Sequence, residues 1–363
     1  MSGAAGVCLV VTAVSSPPGG VGNEGRAPAA SLRVEIGVFA EPSVELAAAW
    51  DALAARAAEP NPFSERWFAM PALRHLSAGK AVFRLEVWQD TQQGAELVAL
   101  MLLTQAQRYG RLPVRHIINW LHYQCFLGTP LIAAGWERQA WEAALDALAA
   151  APWARGFLHF AELAEHGPVH CGLIAAADRH CDTVYRIERA FLQSPLSPAE
   201  YYAQTVRKKK RKEIGRLSAR LAEQGTVQTR RLSPDEALEP WVDAFLLLEQ
   251  AGWKGDRGAA LANTPATEAF FRDIARGAHT AGKLEMLRID LDGRPIAMLV
   301  NFLTPPGSFS FKIAFDEGFA RFSPGVLIEI ENYQILTRPD IAWMDSCAVE
   351  DHPMINAMWG QRR

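Results

Sequence analysis

The feature that most constrains this chain is an order of secondary-structure elements that occurs twice. From Leu32 to Glu162, strand-like alternation and helical spacing of apolar residues predict the order β-α-α-β-β-β-α-β. The same order returns from Thr226 to the end of the chain. In this second copy, Asp292-Gly293 separates two strand-like runs and predicts a tight hairpin turn. The pattern therefore predicts a duplicated α/β (α+β) domain rather than an array of short repeats.

The length of 363 residues also fits two domains. Residues 1–30 are rich in Gly, Ala, Pro and Ser and are predicted to be disordered. A short apolar run inside them resembles the core of a signal peptide, but the first basic residue is Arg26, so a disordered tail is favoured over a leader. The remaining expected segments are an N-terminal domain, a basic linker helix and a C-terminal domain, at 31–194, 195–225 and 226–363.

Composition excludes several classes of protein. Hydrophobic residues make up 49% of the chain and charged residues 21%, which is typical of a globular fold and not of a disordered or coiled-coil chain. The five cysteines form no CxxC pair and indicate a reducing compartment. No apolar run has the ~18 residues that a membrane span needs. A cytoplasmic protein is expected, with peripheral association at the inner membrane as a further expectation.

The expected linker helix is strongly basic. Ser197 and Glu200 form a capping-box pattern at its start, and the run 207–212 is entirely Lys and Arg. Between residues 201 and 231 there are ten Lys or Arg and two Glu, a local charge of +8, which leaves −11 for the rest of a chain whose total is −3. A solvated helix face, an anionic membrane surface and RNA all remain open as explanations. Because nearby aromatics are not interleaved with the basic residues, membrane or CoA phosphates are favoured over nucleic acid.

A loop and helix start after the third strand of the second copy form a candidate anion site. Arg321 lies in the loop, Ser323 is in the N-cap position and a proline follows it. Unpaired N–H groups and the helix dipole at such a position favour a phosphate. The free N–H groups are expected at Gly325, Val326 and Leu327.

The order of elements and this loop together resemble the GNAT superfamily of acyl-CoA N-acyltransferases, in a tandem arrangement. The loop is similar to the family's pyrophosphate motif Q/R-x-x-G-x-G/A, with Arg321 four residues before Gly325 and Leu327 at the second small position. Further motifs resemble the CelD/BcsL-like, cellulose-biosynthesis type of acyltransferase, which is related to FemAB-type proteins. These motifs are Ala251 to Gly255, Asp292 to Ala297, Lys312 to Glu317, and Asp345 to Ala348.

The resemblance implies two mostly antiparallel sheets flanked by helices, with acyl-CoA as co-substrate and no bound metal or cofactor. It implies direct transfer of an acyl group to an amine or hydroxyl acceptor. The specific expectation is a sphingoid base as a lipid acceptor, which would make the chain a bacterial ceramide synthase. A polysaccharide or envelope intermediate as acceptor, a FemAB-like transferase that uses aminoacyl-tRNA, and a non-catalytic scaffold stay open as alternatives.

Candidates for proton transfer and acceptor binding lie near predicted strand ends. Lys312 and Asp316 share a strand face, either as catalytic groups or as a structural ion pair. Asp345 ends the next strand and His352 follows it, so the imidazole is a candidate base; the alternative is a surface-loop histidine beside a helix-capping Asp351. In the first copy, His122 and Tyr123 are expected to contact the acceptor, or else to form a packed loop. A thiol nucleophile at Cys347 is disfavoured, since direct transfer needs no covalent intermediate. The segment Trp253 to Gly258 is interpreted as a lid or a helix end.

Overall fold

The computed structural model describes residues 8–12, 32–177 and 181–363. The described residues divide into two compact units, one from 1–69 and 77–187 and the other from 70–76 and 188–363. Of the predicted disordered extension, residues 8–12 form a strand, and the rest of 1–30 lies outside the described residues.

The elements up to residue 187 build an eight-stranded sheet with helices. The strands are β1 (Cys8–Thr12), β2 (Leu32–Val38), β3 (Val82–Thr91), β4 (Gly94–Ala106), β5 (His116–Asn119), β6 (Leu131–Ile132), β7 (Phe157–Ala161) and β8 (Cys181–Tyr185). The helices are α1 (Val44–Ala55), α2 (Arg66–Leu76), α3 (Glu137–Ala150) and α4 (Pro168–Ala176). The strand order is β2-β3-β4-β5-β7-β1-β8, with β6 pairing to β4.

The elements from residue 188 onward build a seven-stranded sheet. The strands are β9 (Ala190–Leu192), β10 (Val227–Arg231), β11 (Leu284–Leu291), β12 (Arg294–Thr304), β13 (Gly307–Phe315), β14 (Trp343–Asp345) and β15 (Gln361–Arg362). The helices are α5 (Pro198–Thr205), α6 (Lys208–Ala222), α7 (Glu239–Gln250), α8 (Trp253–Asp256), α9 (Pro265–Thr280), α10 (Pro324–Asn332) and α11 (Pro353–Met358). The strand order is β10-β11-β12-β13-β14-β9-β15.

Both sheets are mixed and mostly antiparallel, and they confirm the predicted fold class. In the described residues, the parallel pairs are β5 with β7 and β13 with β14. The hairpin predicted at Asp292-Gly293 joins β11 and β12, and both residues have positive φ, as a tight two-residue turn requires. Strand β9, which the predicted boundaries place in the first domain, pairs with β14 in the second sheet.

The predicted linker helix is two helices, because the chain is extended at Val206. Val206 is buried in a core cluster with Tyr201, Ile214 and Tyr333, and a continuous helix would not place all of these apolar side chains inward. The predicted capping box at the start of α5 is present, with Ser197 and Glu200 each accepting the other's backbone N–H.

The second sheet is covered on both faces. On one face, Leu221 of α6 and Ile328 of α10 pack with Leu287 and Leu299 of β11 and β12. Side chains alternate along a strand, so the even-numbered Met298 belongs to the opposite face, where α7 and α9 contact the sheet. Almost all of β12 is therefore buried, and β13 pairs with it from Gly307 to Phe315.

Candidate functional site

One edge of β13 has no partner strand along more than half of the strand's length. Strand β12 pairs with β13 from Gly307 to Phe315, but β14 pairs only with its first three residues, Gly307 to Phe309. Among the described residues, no strand continues this edge from Ser310 to Phe315. The cause is the short β14, which ends at Asp345, after which Cys347 has a positive φ and turns the chain. A gap therefore opens along the carboxyl-terminal half of β13.

The backbone of Ile313 and Phe315 faces this gap. Asp316 donates its N–H to Ile296 in the direction of β12, whereas the carbonyl oxygen of Ile313 accepts a bond from outside the sheet. Alternate residues of a strand direct both backbone groups to opposite edges, so Ile313 and Phe315 present theirs to the gap. The edge thus offers backbone donors and acceptors to an extended molecule.

Two lysines and a glutamate lie beside the gap. Glu249 at the end of α7 is buried, with Oε1 3.4 Å from Lys254 Nζ and 3.7 Å from Lys312 Nζ. Its Oε2 accepts the Leu261 N–H at 2.8 Å, which fixes the carboxylate. Burial lowers the pKa of Lys312 to about 8, against the opposing effect of Glu249. With Gly252, Phe315 and other neighbours, Glu249 and Lys254 line a cleft of about 240 Å³.

Lys254 extends from α8 onto the strand edge itself. Its Nζ donates a 2.8 Å hydrogen bond to the carbonyl oxygen of Ile313. A side-chain ammonium thus occupies the place where a neighbouring strand would otherwise donate an N–H. The segment Trp253 to Gly258, interpreted from sequence as a lid or a helix end, therefore contributes a specific contact to the gap.

The predicted anion loop lies directly after β13. Residues Glu317–Phe322 form a 3-10 helix, and Ser323 precedes α10 with a left-handed backbone. Ser323 occupies the predicted N-cap position, but its side chain makes no capping bond because the left-handed backbone directs it elsewhere. The Arg321 side chain is exposed, with its guanidinium 4.7 Å from the Phe322 ring centre. A cation thus precedes the positive end of a nine-residue helix.

Two of the three amides expected to be free are not. Val326 and Leu327 both donate to the Ser323 carbonyl oxygen, at 2.9 and 3.2 Å, because Ser323 opens the helix with its own carbonyl. Gly325 is buried, and a Cβ at this position would lie 3.3 Å from Phe315 Cδ1. The expectation of three adjacent free amides at Gly325, Val326 and Leu327 is therefore wrong for the last two.

The carboxylates predicted from strand ends have structural partners. Asp316 does not pair with Lys312; it binds Arg294 Nη2 at 2.7 Å and caps the Gly318 N–H at 2.9 Å. Lys312 instead approaches Glu249, since it points to the face that α7 covers. Asp345 is fully buried, with Arg189 Nε at 2.7 Å.

His352 lies at the start of α11, on the Lys254 side of the second unit. Its Nδ1 accepts the Ile355 N–H at 3.3 Å, so the imidazole itself caps the helix, in the place where the alternative interpretation expected Asp351. Burial lowers the pKa of His352, and the charge of Lys254 lowers it further. The ring is therefore mainly neutral near pH 7.

His122 and Tyr123 belong to the first unit. The His122 ring stacks on Phe68 with centres 5.9 Å apart and lies 5.2 Å from Trp120. Burial lowers the pKa of His122 to about 4, so the imidazole is neutral at pH 7. It lines a cleft of about 470 Å³ within this unit, together with Phe63 and other residues. Tyr123 is mostly exposed.

The equivalent strand edge of the first unit is closed. Parallel pairing of β5 with β7 ends at Ile118, and the next residue, Asn119, bridges the strands with its side chain. Its Oδ1 accepts the Ala161 N–H at 2.9 Å, and its Nδ2 donates to the Ala161 carbonyl oxygen at 2.9 Å. The same Nδ2 also donates to the Gly128 carbonyl oxygen at 3.0 Å. A Cβ at Gly128 would overlap the Ala161 carbonyl oxygen, so the loop that contains Gly128 packs directly against the end of β7. The open edge is thus a property of the second unit.

Sequence reasoning missed Glu249. A signal was present, because Glu249 follows Phe245 by four residues and lies on the apolar stripe of α7 with Trp241 and Val242. A carboxylate on such a stripe must be buried with a cation or a donor. Its cations, Lys254 and Lys312, come from other elements, and spacing alone could not identify them.

Comparison with known proteins identifies the part of the chain that contains this edge. Residues 208–336 match the sequence model of the Acetyltransferase (GNAT) domain family. This part of the chain is similar to the GNAT domain family. The matched residues include β13, the residues that line the cleft, and α10. No curated protein matches the chain in sequence.

Solved structures share the fold. FemX superposes with a TM-score of 0.54 at 12% identity, over 88% of this chain and 90% of FemX. A tandem GNAT protein from the clavulanic acid biosynthesis pathway covers 91% of this chain and 96% of its own, with a TM-score of 0.43 and 16% identity. The likeness to FemX shows a shared fold over 88% of this chain.

Two absences hold for the described residues. No group of three or more His, Cys, Asp or Glu side chains could hold a metal ion in the parts of the chain that the structure covers. None of the helices assigned above is both long enough and apolar enough to cross a membrane.

Proposed function

We propose that the second unit transfers an acyl group from a CoA thioester to an amine, with the donor bound along the open edge of β13. The observation that carries this proposal is the unpaired edge between Ile313 and Phe315, next to the positive end of α10. A pantetheine chain is extended and contains amides, so it can replace the missing strand. The phosphates would then lie near Arg321 and the start of α10.

The edge and the cleft also suggest the roles of individual groups. The thioester oxygen would accept the Phe315 N–H, which stabilises the negative charge that develops when the amine attacks. The attacking nitrogen must lose a proton, and Glu249 lies within the cleft to accept it. Because burial lowers the pKa of Lys312 to about 8, part of this side chain is neutral near pH 7 and can take the proton from the shared carboxylate. The sulfur leaves as the CoA thiolate.

The acceptor class is suggested by the surface of α6. Its exposed cations are Arg207, Lys208, Lys209, Lys212, Arg216 and Arg220, whereas Ile214, Leu217 and Leu221 are buried. Cations in the first turn oppose the helix dipole, so this arrangement does not stabilise the helix itself. An anionic membrane would attract such a surface by roughly 1 kcal/mol per basic residue. We therefore propose a lipid amine as acceptor, with a sphingoid base as the specific candidate.

A FemAB-like transfer from aminoacyl-tRNA is the second candidate, because FemX shares the fold. The aromatic side chains near the basic run do not favour it, since Tyr201 is buried and Tyr202 is half-buried, so neither is placed to stack on a base. A polysaccharide acceptor and a non-catalytic scaffold stay as the remaining alternatives.

Thiol release separates these functions. The full chain is incubated with acetyl-CoA or palmitoyl-CoA and an amine panel that includes sphinganine, and free CoA is followed with a thiol reagent. Acyl transfer to sphinganine with palmitoyl-CoA supports the lipid proposal. No thiol release with any amine, combined with transfer from aminoacyl-tRNA, would replace it by the FemAB-like function.

Membrane attraction is tested separately by flotation with neutral vesicles and with vesicles containing phosphatidylglycerol. The variant Lys208→Gln/Lys209→Gln/Lys212→Gln should lose binding to the anionic vesicles. The matched control, Arg108→Gln/Arg111→Gln/Arg115→Gln, removes three exposed cations from the first unit and should keep it. Equal loss in both variants would show that only net charge matters.

A further inference from the structure

Lys254 places a primary amine inside the proposed donor site. Its Nζ is 2.8 Å from the Ile313 carbonyl oxygen, on the open edge of β13. The side chain is only 22% exposed, so its ammonium is directed into the cleft and not into solvent. The helix that bears it, α8, holds it there through its position between α7 and the strand edge.

The order of backbone groups along the edge brings this amine next to the expected reacting carbon. On the edge of a strand, the carbonyl of one residue is followed by the N–H of the residue two positions on. The Ile313 carbonyl, which binds Lys254, is thus followed by the Phe315 N–H, which is the proposed donor to the thioester oxygen. A thioester bound there has Lys254 as its neighbouring nitrogen.

A proton acceptor for the same nitrogen is already in place. Glu249 Oε1 lies 3.4 Å from Lys254 Nζ and 3.7 Å from Lys312 Nζ. This carboxylate bridges the two amines, so a proton that leaves Lys254 has a direct path to a second basic group. The geometry is that of an acceptor amine with its base, formed by the protein itself.

We propose that Lys254 is acylated by the enzyme's own bound donor when no acceptor amine is present. This inference rests on the proposed function, because it requires a CoA thioester on the β13 edge. It adds a modification site in which the protein serves as its own substrate.

The step is balanced without another reactant. The Lys254 ammonium passes a proton to Glu249, and the nitrogen lone pair forms a bond to the thioester carbon. The carbon–sulfur bond breaks, and its electron pair leaves with the CoA thiolate. The nitrogen loses its second proton as the amide forms, and this proton converts the thiolate to the thiol. One amide and one CoA thiol form for each thioester consumed, with one proton released.

The test is incubation of the full chain with acetyl-CoA and no amine, followed by intact mass and peptide mapping. We expect one acetyl group, located on Lys254, at a rate at least about tenfold above that of the exposed Lys80 and Lys209, which measure uncatalysed acylation. Lys254→Arg keeps the charge and the donor to Ile313 and should abolish the modification. Glu249→Gln should slow it while Lys80 and Lys209 react as before.

Acetyl-CoA binding, measured by calorimetry on the same sample, distinguishes a failure of self-acylation from a failure of the proposed function. Binding with Lys254 unmodified, or modified no faster than Lys80, overturns the self-acylation and leaves the proposed function intact. Absence of binding overturns the proposed function and this inference with it.

Discussion

The ammonium of Lys254 donates a 2.8 Å hydrogen bond to the backbone oxygen of Ile313, at a place where the sheet has no further strand. A side chain can leave such a position without breaking a strand ladder. The edge can therefore hold Lys254 at Ile313 beside a molecule bound at Phe315 at little cost to the fold. This contact joins the open edge of β13 to Glu249, whose Oε1 lies 3.4 Å from the same ammonium.

Replacing Glu249 by Gln should lower kcat for acyl transfer by about 10²-fold or more, because the proposed proton acceptor is removed. The amide oxygen can still accept the Leu261 N–H, so the local structure is kept. Acetyl-CoA affinity, measured by calorimetry, should be unchanged. A variant with the same melting temperature and undiminished kcat would show that Glu249 has no part in proton transfer.

Replacing Lys312 by Met should change the pH profile of the reaction. Burial lowers the pKa of Lys312 to about 8, so its neutral fraction, and with it the wild-type rate, should rise as the pH increases through 8. The variant should be slower by at least about tenfold at pH 8 and should lack this rise. An unchanged inflection near pH 8 in Lys312→Met would assign it to another group.

Charge reversal at Arg321 should weaken CoA binding by roughly tenfold, about 1.4 kcal/mol, because an anionic side chain would precede the start of α10. Binding of a CoA analogue that lacks the phosphates should change much less. Arg108→Glu, which alters an exposed arginine of the first unit, is the matched control. Similar losses in both variants would indicate a general charge effect and not a phosphate site.

Asp345 was predicted from sequence as a catalytic candidate, the carboxylate near His352, and its surroundings now predict a structural role. Asp345→Asn should lower the free energy of unfolding by about 3 to 5 kcal/mol, because Arg189 stays buried without its counter-charge. Asp340→Asn breaks the exposed pair with Arg338 and should cost at most about 1 kcal/mol. Denaturant titrations of both variants measure this difference. Wild-type stability with lost activity in Asp345→Asn would restore the catalytic interpretation.

Glu329 on α10 predicts a pH-dependent stability. Burial raises the pKa of Glu329 to about 7, although Asn332 donates to it and opposes this shift. Because the folded-state pKa lies above the ordinary 4.5, the stabilisation is complete below pH 4.5 and is lost as the pH rises through 7. Thermal unfolding of Glu329→Gln should show a smaller fall in stability than wild type between pH 5 and 8. Parallel curves would exclude Glu329 as the source.

Local patterns were sufficient to predict much of the fold. The Asp292-Gly293 turn, the Ser197 capping box and the helix start at Pro324 all depend on neighbours within a few residues, and all are present. Strand β9 escaped prediction because three residues, Ala190–Leu192, carry too little periodicity to be distinguished from a loop. Its pairing with β14 depends on a segment about 150 residues later in the chain.

The site was predicted less completely than the fold. The loop with Arg321 and Ser323 was found because it is continuous in sequence. The partners of Lys312 and Asp316 were not, since a shared strand face does not decide which charges approach from other elements. Lys312 approaches Glu249 of α7, and Asp316 binds Arg294 of β12. The roles of Arg321, Ser323 and Gly325 in donor binding stay predictions.

Hydrogen–deuterium exchange with and without acetyl-CoA tests directly whether the donor binds along the edge of β13. If the donor lies on the open edge of β13, amides of Ile313 and Phe315 and of the 321–327 segment should exchange more slowly when it is bound. Peptides that cover 116–128, the closed edge of the first unit, should be unaffected. Protection confined to the first unit, or saturating binding with no change between 311 and 327, would contradict donor binding on the edge of β13.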